Sequence, residues 1–202
     1  MLSAFHKLLD NPRFFSFVQT ALGAQRIYSA VKSYHRHGLQ ATTHKTVLDV
    51  GCGTGALHEM FSGYYAGIDI NFEYLKHARR EVSRDFVRGD ALALPVRSGI
   101  ISLVFTFGLV HHLSRKERGI LFQELWRVCA ADGSILVMDG IIPSDRLNVI
   151  GYALAKLDRG RYKVRKNEFI DMISEAFPYA RQRQIEFMRL YPYELAFALI
   201  GK

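Results

Sequence analysis

The sequence predicts a doubly wound α/β fold, with a mostly parallel seven-stranded sheet preceded by an N-terminal helical extension. Three observations carry that prediction. From Lys45 onward, short β-branched runs alternate with amphipathic stretches, the pattern of parallel strands joined by helical crossovers. The run "GIISLVFTFGLV" is nearly all apolar, as a strand buried on both faces must be. Finally Gly51, Gly53 and Gly55 fall within a few residues of each other, where the first strand of the alternation should turn into a helix.

Taken in order, residues 1–40 read as N-terminal helices. "AFHKLLD" is a short amphipathic piece, Pro12 interrupts, and "FFSFVQTALGAQRIYSAVKSYHRH" has apolar positions three and four apart until Gly38 stops it. Residues 41–202 form the main domain. "TVLDV" is its first strand and "ALHEMFSG" reads as a helix ending at Gly63. "YYAGIDI" is the second strand, "FEYLKHARREV" the next helix and "RDFVRGD" the third strand. After the long fourth strand comes the amphipathic helix "RKERGILFQELWRVCA", then a fifth strand, "GSILVMDGII". Past Pro143 the alternation loosens into a basic helical insertion at about 143–178, with "RLNVIGYALAKL" and "KNEFIDMISEAF" as its helices. Two late strands follow, "RQIEFMRLYP" and "ELAFALIG"; the second could close the sheet within one chain or pair as an edge strand in a dimer.

Bulk properties bound the function. At 202 residues the chain can bury a substantial core, and its ordinary composition excludes fibrous and disordered classes. Cys52 and Cys129 make neither a metal-ligand spacing nor a disulfide framework, which suits a reducing compartment. The start of the chain carries charges and Pro12 where a secretory signal needs an apolar run. The longest uncharged run, from Ser98 to Ser114, is broken by glycines and histidines, so no membrane span is expected and a cytoplasmic location is. The net charge of +8 brings nucleic acid and peripheral contact with an anionic membrane into consideration. Six basic residues concentrate in "KLDRGRYKVRKNE", as a solvated loop or as a site for an acidic or phosphorylated substrate.

A glycine-rich strand-to-helix turn lets backbone approach a ligand, while the following helix start offers unpaired N–H groups. Gly51, Gly53 and Ala56 satisfy the dinucleotide pattern G-x-G-x-x-G/A, and Asp69 stands where a ribose-binding acid belongs. Two features argue for a different nucleotide-type cofactor. Asp49 precedes the turn, where an anion is poorly placed beside a pyrophosphate and well placed beside a cationic group. Asp90, just past the third strand, supplies a third carboxylate at the same sheet edge, where open α/β sheets bind ligands.

"VLDVGCGTG", "GIDIN", "GDALALP" and "LVFTFGLVHHL" occur in the order and spacing of class I S-adenosylmethionine-dependent methyltransferases, and the chain resembles their small type 11 domains most. "LWRVCAADGSILVMD" is similar to that family's fifth strand and the helix before it, so the resemblance covers about residues 45–140. It implies a Rossmann-like sheet and S-adenosylmethionine as cofactor. It also implies that Gly51, Gly53 and Gly55 form the turn against methionine and ribose, and that Asp49 sits near the cofactor's amino group. Asp69 would hold the ribose hydroxyls with Ile70 against the adenine, Asp90 and the Ala91 N–H would meet the adenine edge, and Phe107 would lie near the methionine end.

Methyl transfer from a sulfonium needs alignment and exclusion of water, and a base only where the acceptor must lose a proton. "GLVHHL" supplies His112 as the first candidate base and His111 as the second. The fourth strand is not followed by [N/D]-P-P-[Y/F], and no Pro-Cys or Thr-Cys pair follows strands four or five. Enzymes acting on adenine N6, glutamine amides or cytosine C5 resemble those missing patterns. A small-molecule or lipid-like acceptor remains, with a protein side chain or another RNA position left open, and Arg161 and Arg165 are candidate contacts to an acidic or phosphorylated group. Phe14, Phe15, Phe17, Tyr28 and Tyr34 could close over an apolar acceptor or be core. The alternatives are an RNA methyltransferase, which no recognisable nucleic-acid motif favours, and a non-catalytic cofactor-binding scaffold. The oligomeric state is not legible.

Overall fold

The computed structural model describes residues 23–38, 45–157 and 160–202. The strands are β1 (Thr46–Val50), β2 (Tyr64–Asp69), β3 (Asp85–Arg88), β4 (Ile101–Phe107), β5 (Cys129–Ile141), β6 (Gln182–Leu190) and β7 (Tyr193–Gly201). The helices are α1 (Ala24–Gly38), α2 (Phe72–Glu81), α3 (Arg115–Val128), α4 (Val149–Leu157) and α5 (Lys166–Ala176). The sheet order is β3-β2-β1-β4-β5-β7-β6. β1 pairs in parallel with β2 and β4, as β2 does with β3 and β4 with β5, while β7 runs antiparallel to both β5 and β6. The chain winds outward one way from β1 and then the other way from β4. The strand ends of β1 and β4 therefore flank the crevice in which such sheets bind ligands.

Side chains on a strand alternate between faces, and each central strand here feeds two cores. Leu48, Val104, Ile135 and Val137 pack with Leu121, Leu125, Phe169 and Ile173 of α3 and α5. Val47, Leu103, Phe105, Leu136 and Met138 pack on the other face with Val31 of α1 and Leu75 of α2. α2 begins at Asn71, whose side-chain oxygen accepts from the N–H groups of Glu73 and Tyr74 at 3.0 and 3.2 Å. α3 begins in a capping box, Ser114 Oγ accepting from Glu117 N–H while the Glu117 carboxylate accepts from Ser114 N–H.

The structure corrects or resolves three expectations. The helix read over "ALHEMFSG" is only a 3-10 turn, His58–Met60. A parallel crossover takes about a dozen residues, most of them for its helix. Here the glycine turn uses the first of them, and Leu57 and Phe61 are drawn into the core, so no full helix forms. Tyr34 is core: it is 7% exposed and its ring stacks on Phe197 with centroids 4.2 Å apart. Phe14, Phe15 and Phe17 lie outside the described residues. "FALIG" belongs to β7, which lies between β5 and β6 of its own chain, leaving β6 as the edge strand on that side.

Candidate active site

The register Asp49↔Gly67 and Asp69↔Arg88 sets the ends of β1, β2 and β3 along one edge. Asp49 is 3% exposed, and the Tyr65 hydroxyl donates to its Oδ2 at 2.7 Å. Burial pushes the Asp49 carboxyl up to about 7, against the Tyr65 hydrogen bond and helped by the charge of Asp69. Asp69 accepts from Gly53 N–H at 2.8 Å and from Asn71 N–H at 2.7 Å. Burial still raises its pKa above the usual carboxylate value, although those bonds oppose it. Asp90 is exposed and takes the Leu92 N–H at 2.9 Å.

The glycine turn is tied to β2 by Gly51 and Cys52, whose N–H groups both donate to Ile68 O, at 2.8 and 3.1 Å. Gly53 has φ +56° and no atom within 4 Å of where a Cβ would stand, so its backbone faces open cavity. Gly55 differs. Its φ is +73° and an added Cβ would sit 2.8 Å from Phe86 Cζ. It does not line the cavity; its missing side chain makes room for a core ring.

The cavity encloses about 1050 Å³, at the upper end for small-molecule sites and roomy enough for a cofactor with a second ligand. Asp49, Gly51, Gly53, Asp69, Ile70, Asp90, Ala91 and Phe107 line it. Toward β5 and β7 its walls become apolar, with Ile27 and Tyr28 from α1, Leu154 and Ala155 from α4, and Ile141, Pro143 and Leu195. Tyr28 meets Phe107 edge-on, ring centroids 6.4 Å apart.

His111 stands on a 3-10 turn, Val110–His112, just past β4. Its Nδ1 lies 2.5 Å from Asp139 Oδ1, and its backbone N–H donates to Asp139 Oδ2 at 2.9 Å. Asp139 is 3% exposed near the end of β5. Burial works to raise its pKa, but the charge and hydrogen bonds of His111, joined by Lys163, hold the carboxyl below its usual range. Residues 160–164 close over this pair. Tyr162 N–H donates to His111 O at 3.0 Å and Ile142 N–H to Val164 O at 2.9 Å. The buried guanidinium of Arg118 bridges Val110 O and Tyr162 O. An added Cβ on Gly160 would sit only 1.7 Å from His111 Cδ2, so only glycine lets the loop lie against the imidazole.

The structure therefore brings together all the predicted cofactor residues except Gly55. His111 and His112 both line the cavity, with rings 4.2 Å apart. His112, ranked first on sequence, is exposed at the edge, and His111 is the one bound to a carboxylate. Arg161 and Arg165 are exposed and do not line the cavity. Arg165 instead opens α5, its N–H donating to the Glu168 carboxylate at 2.6 Å. Lys163, between them, lines the cavity. Sequence reasoning missed Lys163 and Asp139. Asp139 carried a readable signal, an acid ending an apolar strand as Asp49 and Asp69 do. Lys163 carried none, because nothing in a run of alternating cations says which one points inward.

The fold is that of class I S-adenosylmethionine-dependent methyltransferases. Residues 48–137 match the family described as "Methyltransferase domain", and this part of the chain is such a domain. Over 108 residues the chain is 32% identical to ajmaline N-methyltransferase of Rauvolfia serpentina, a match covering 48% of this chain and 36% of that one. The chain thus spans well under two thirds of the length of that curated relative. An S-adenosylmethionine-dependent methyltransferase from Archaeoglobus fulgidus superposes with a TM-score of 0.72 at 17% identity, covering 94% of this chain and 99% of its own. Human N-acetylserotonin methyltransferase in complex with S-adenosylmethionine also gives 0.72, at 18% identity, covering 98% of this chain and 58% of its own.

The residues present fit that cofactor. Gly53 offers an open backbone cradle beside the buried Asp49 and the half-buried Asp69. That donor set suits a ligand with a cationic amino group at one end and a ribose diol in the middle.

Proposed function

We propose that this protein transfers the methyl group of S-adenosylmethionine to a small-molecule or lipid-like acceptor. The single observation carrying the reading is one continuous cavity that joins the three-carboxylate glycine site to an apolar chamber with a histidine–aspartate pair at its base. Asp49 would hold the cofactor's amino group and Asp69 its ribose hydroxyls, with Asp90 and Ala91 at the adenine. Bound there, the cofactor supplies an electrophilic methyl on a sulfonium. The chain supplies alignment, exclusion of water by Tyr28, Phe107 and Leu154, and a destination for a proton.

That destination is the His111 imidazole. Nδ1 bonded to Asp139 fixes the ring and stabilises the imidazolium formed when the acceptor's O–H or N–H gives up its proton. Lys163, on the same side of the chamber, suits an acceptor with an anionic group near the methylated atom. Calorimetric titration with S-adenosylmethionine tests the reading. Asp69→Ala should weaken binding about a hundredfold, since two charge-assisted hydrogen bonds are lost. Unaltered affinity in that variant would overturn the assignment.

A further inference from the structure

On the outer side of the acceptor chamber, the connection after β5 and the first turn of α4 direct apolar residues toward solvent. Leu147 is 88% exposed, Val149 71% and Ile150 54%, and Tyr191 on the neighbouring β6–β7 turn is 61% exposed. Single exposed apolar side chains need no explanation, but a contiguous group does. These residues are displayed on a pinned scaffold. Asn148, buried at 6%, donates from Nδ2 to Pro192 O at 2.8 Å and accepts the Gly151 N–H at 2.9 Å. Ser144 N–H donates to the buried Glu194 carboxylate at 2.6 Å. Pro143, Gly151 and Leu154 of the same stretch, and Pro192 of the β6–β7 turn, are cavity wall. The patch is therefore the rim of the chamber.

The rim is also basic. Arg146 is exposed within it, and Arg189 is exposed beside it, donating to Ser144 Oγ at 3.3 Å; Lys156 is exposed at the far end of α4. Of the nearby acids, Asp145 accepts the Leu147 N–H and Glu194 is buried against Ser144. A positive, apolar rim on a chain of net charge +8 repels a second copy of itself and complements an anionic surface. Among the described residues no helix is long and apolar enough to cross a membrane, so contact would be interfacial.

We propose that this rim docks on an anionic lipid bilayer and that the methyl acceptor is an amphiphile drawn from it. Leu147, Val149 and Ile150 enter the interface, Arg146 and Arg189 meet lipid phosphates, and the acceptor's tail passes between α1 and α4 while its head reaches His111 and Lys163. The acceptor half of this proposal rests on the methyl-transfer reading; the docking half does not.

Sedimentation of the full chain with phosphatidylcholine vesicles, with and without about a third phosphatidylglycerol, tests it. The chain should pellet with the anionic vesicles and only weakly with the neutral ones. Leu147→Ser/Ile150→Ser, at two residues that do not line the cavity, should weaken binding about tenfold or more. Arg146→Glu should weaken it about fivefold or more. Both variants should keep wild-type S-adenosylmethionine affinity by calorimetry, which also confirms folding. The proposal falls on any of three results: no binding to anionic vesicles, equal binding to neutral ones, or binding indifferent to both variants. A concentration-dependent dimer that Leu147→Ser/Ile150→Ser dissolves would reassign the rim to self-association and overturn the proposal as well. Vesicle binding without cofactor binding would support the docking surface and fault the methyl-transfer reading instead.

Discussion

The two ends of the cavity are built by different means. The cofactor end uses strand termini: the sheet's register sets the ends of β1, β2 and β3 along one edge, with Asp49 and Asp69 at the strand ends and Asp90 in the turn just past β3. The acceptor end uses convergence. His111 follows β4, Asp139 ends β5, Lys163 comes from the loop before α5, and Ile27 and Tyr28 come from a helix ahead of the sheet. The first arrangement is robust, since any sequence that forms the sheet places the acids. The second depends on Arg118 and Gly160 holding a loop against a ring, so it can change its shape and its acceptor without disturbing the fold.

The sharpest way to break this comparison is at the histidine pair. With acceptor in hand, His111→Ala should lower kcat by about 10²–10⁴-fold and Asp139→Asn by about tenfold or more, with S-adenosylmethionine affinity within about twofold of wild type. A change confined to KM would make the pair a binding feature. At the same end, Lys163→Ala should raise acceptor KM about tenfold, whereas Arg161→Glu/Arg165→Glu should change it less than about twofold, given one charge-assisted contact against none. Equal effects would show that general positive potential, and not position, recognises the acceptor.

At the cofactor end, Asp49 links affinity to pH. Its folded-state pKa of about 7 lies above the ordinary value of 3.8, so it is largely protonated at pH 6 and ionised at pH 8. A cationic amino group binds the ionised form. S-adenosylmethionine affinity should therefore rise roughly five- to tenfold from pH 6 to pH 8, with a proton released on binding. Asp49→Asn should flatten the profile. For the free protein the sign is reversed. The group costs stability as pH rises from its unfolded pKa near 4 through about 7, and that cost is constant above. Smallest in functional terms is Gly55→Ala, which should leave the chemistry alone and destabilise the fold. Positive φ and overlap with Phe86 together cost about 2 kcal/mol, a Tm lowered by roughly 4–8 °C.

The strand-and-helix alternation, the glycine turn and the acids of the cofactor end were legible because each is local. A strand's polar terminus and the residues that turn it lie within ten positions of one another. The helix expected over "ALHEMFSG" failed because periodicity carries no information about how much chain the crossover leaves. That Lys163 lines the cavity and Arg161 and Arg165 do not was illegible, because alternation along an irregular loop does not reveal which side faces inward.

By itself the sequence determined the fold class, the sheet's polarity and the gathering of the glycine turn and its acids at one edge. Strand burial and turn chemistry are short-range consequences of residue type. Only the tertiary structure decided that His111 and not His112 meets a carboxylate, that Lys163 is the cation turned inward, and that Leu147, Val149 and Ile150 form a rim. Each of those depends on contacts between segments far apart in the chain, brought together when β7 inserts between β5 and β6 and draws the β6–β7 turn against the start of α4.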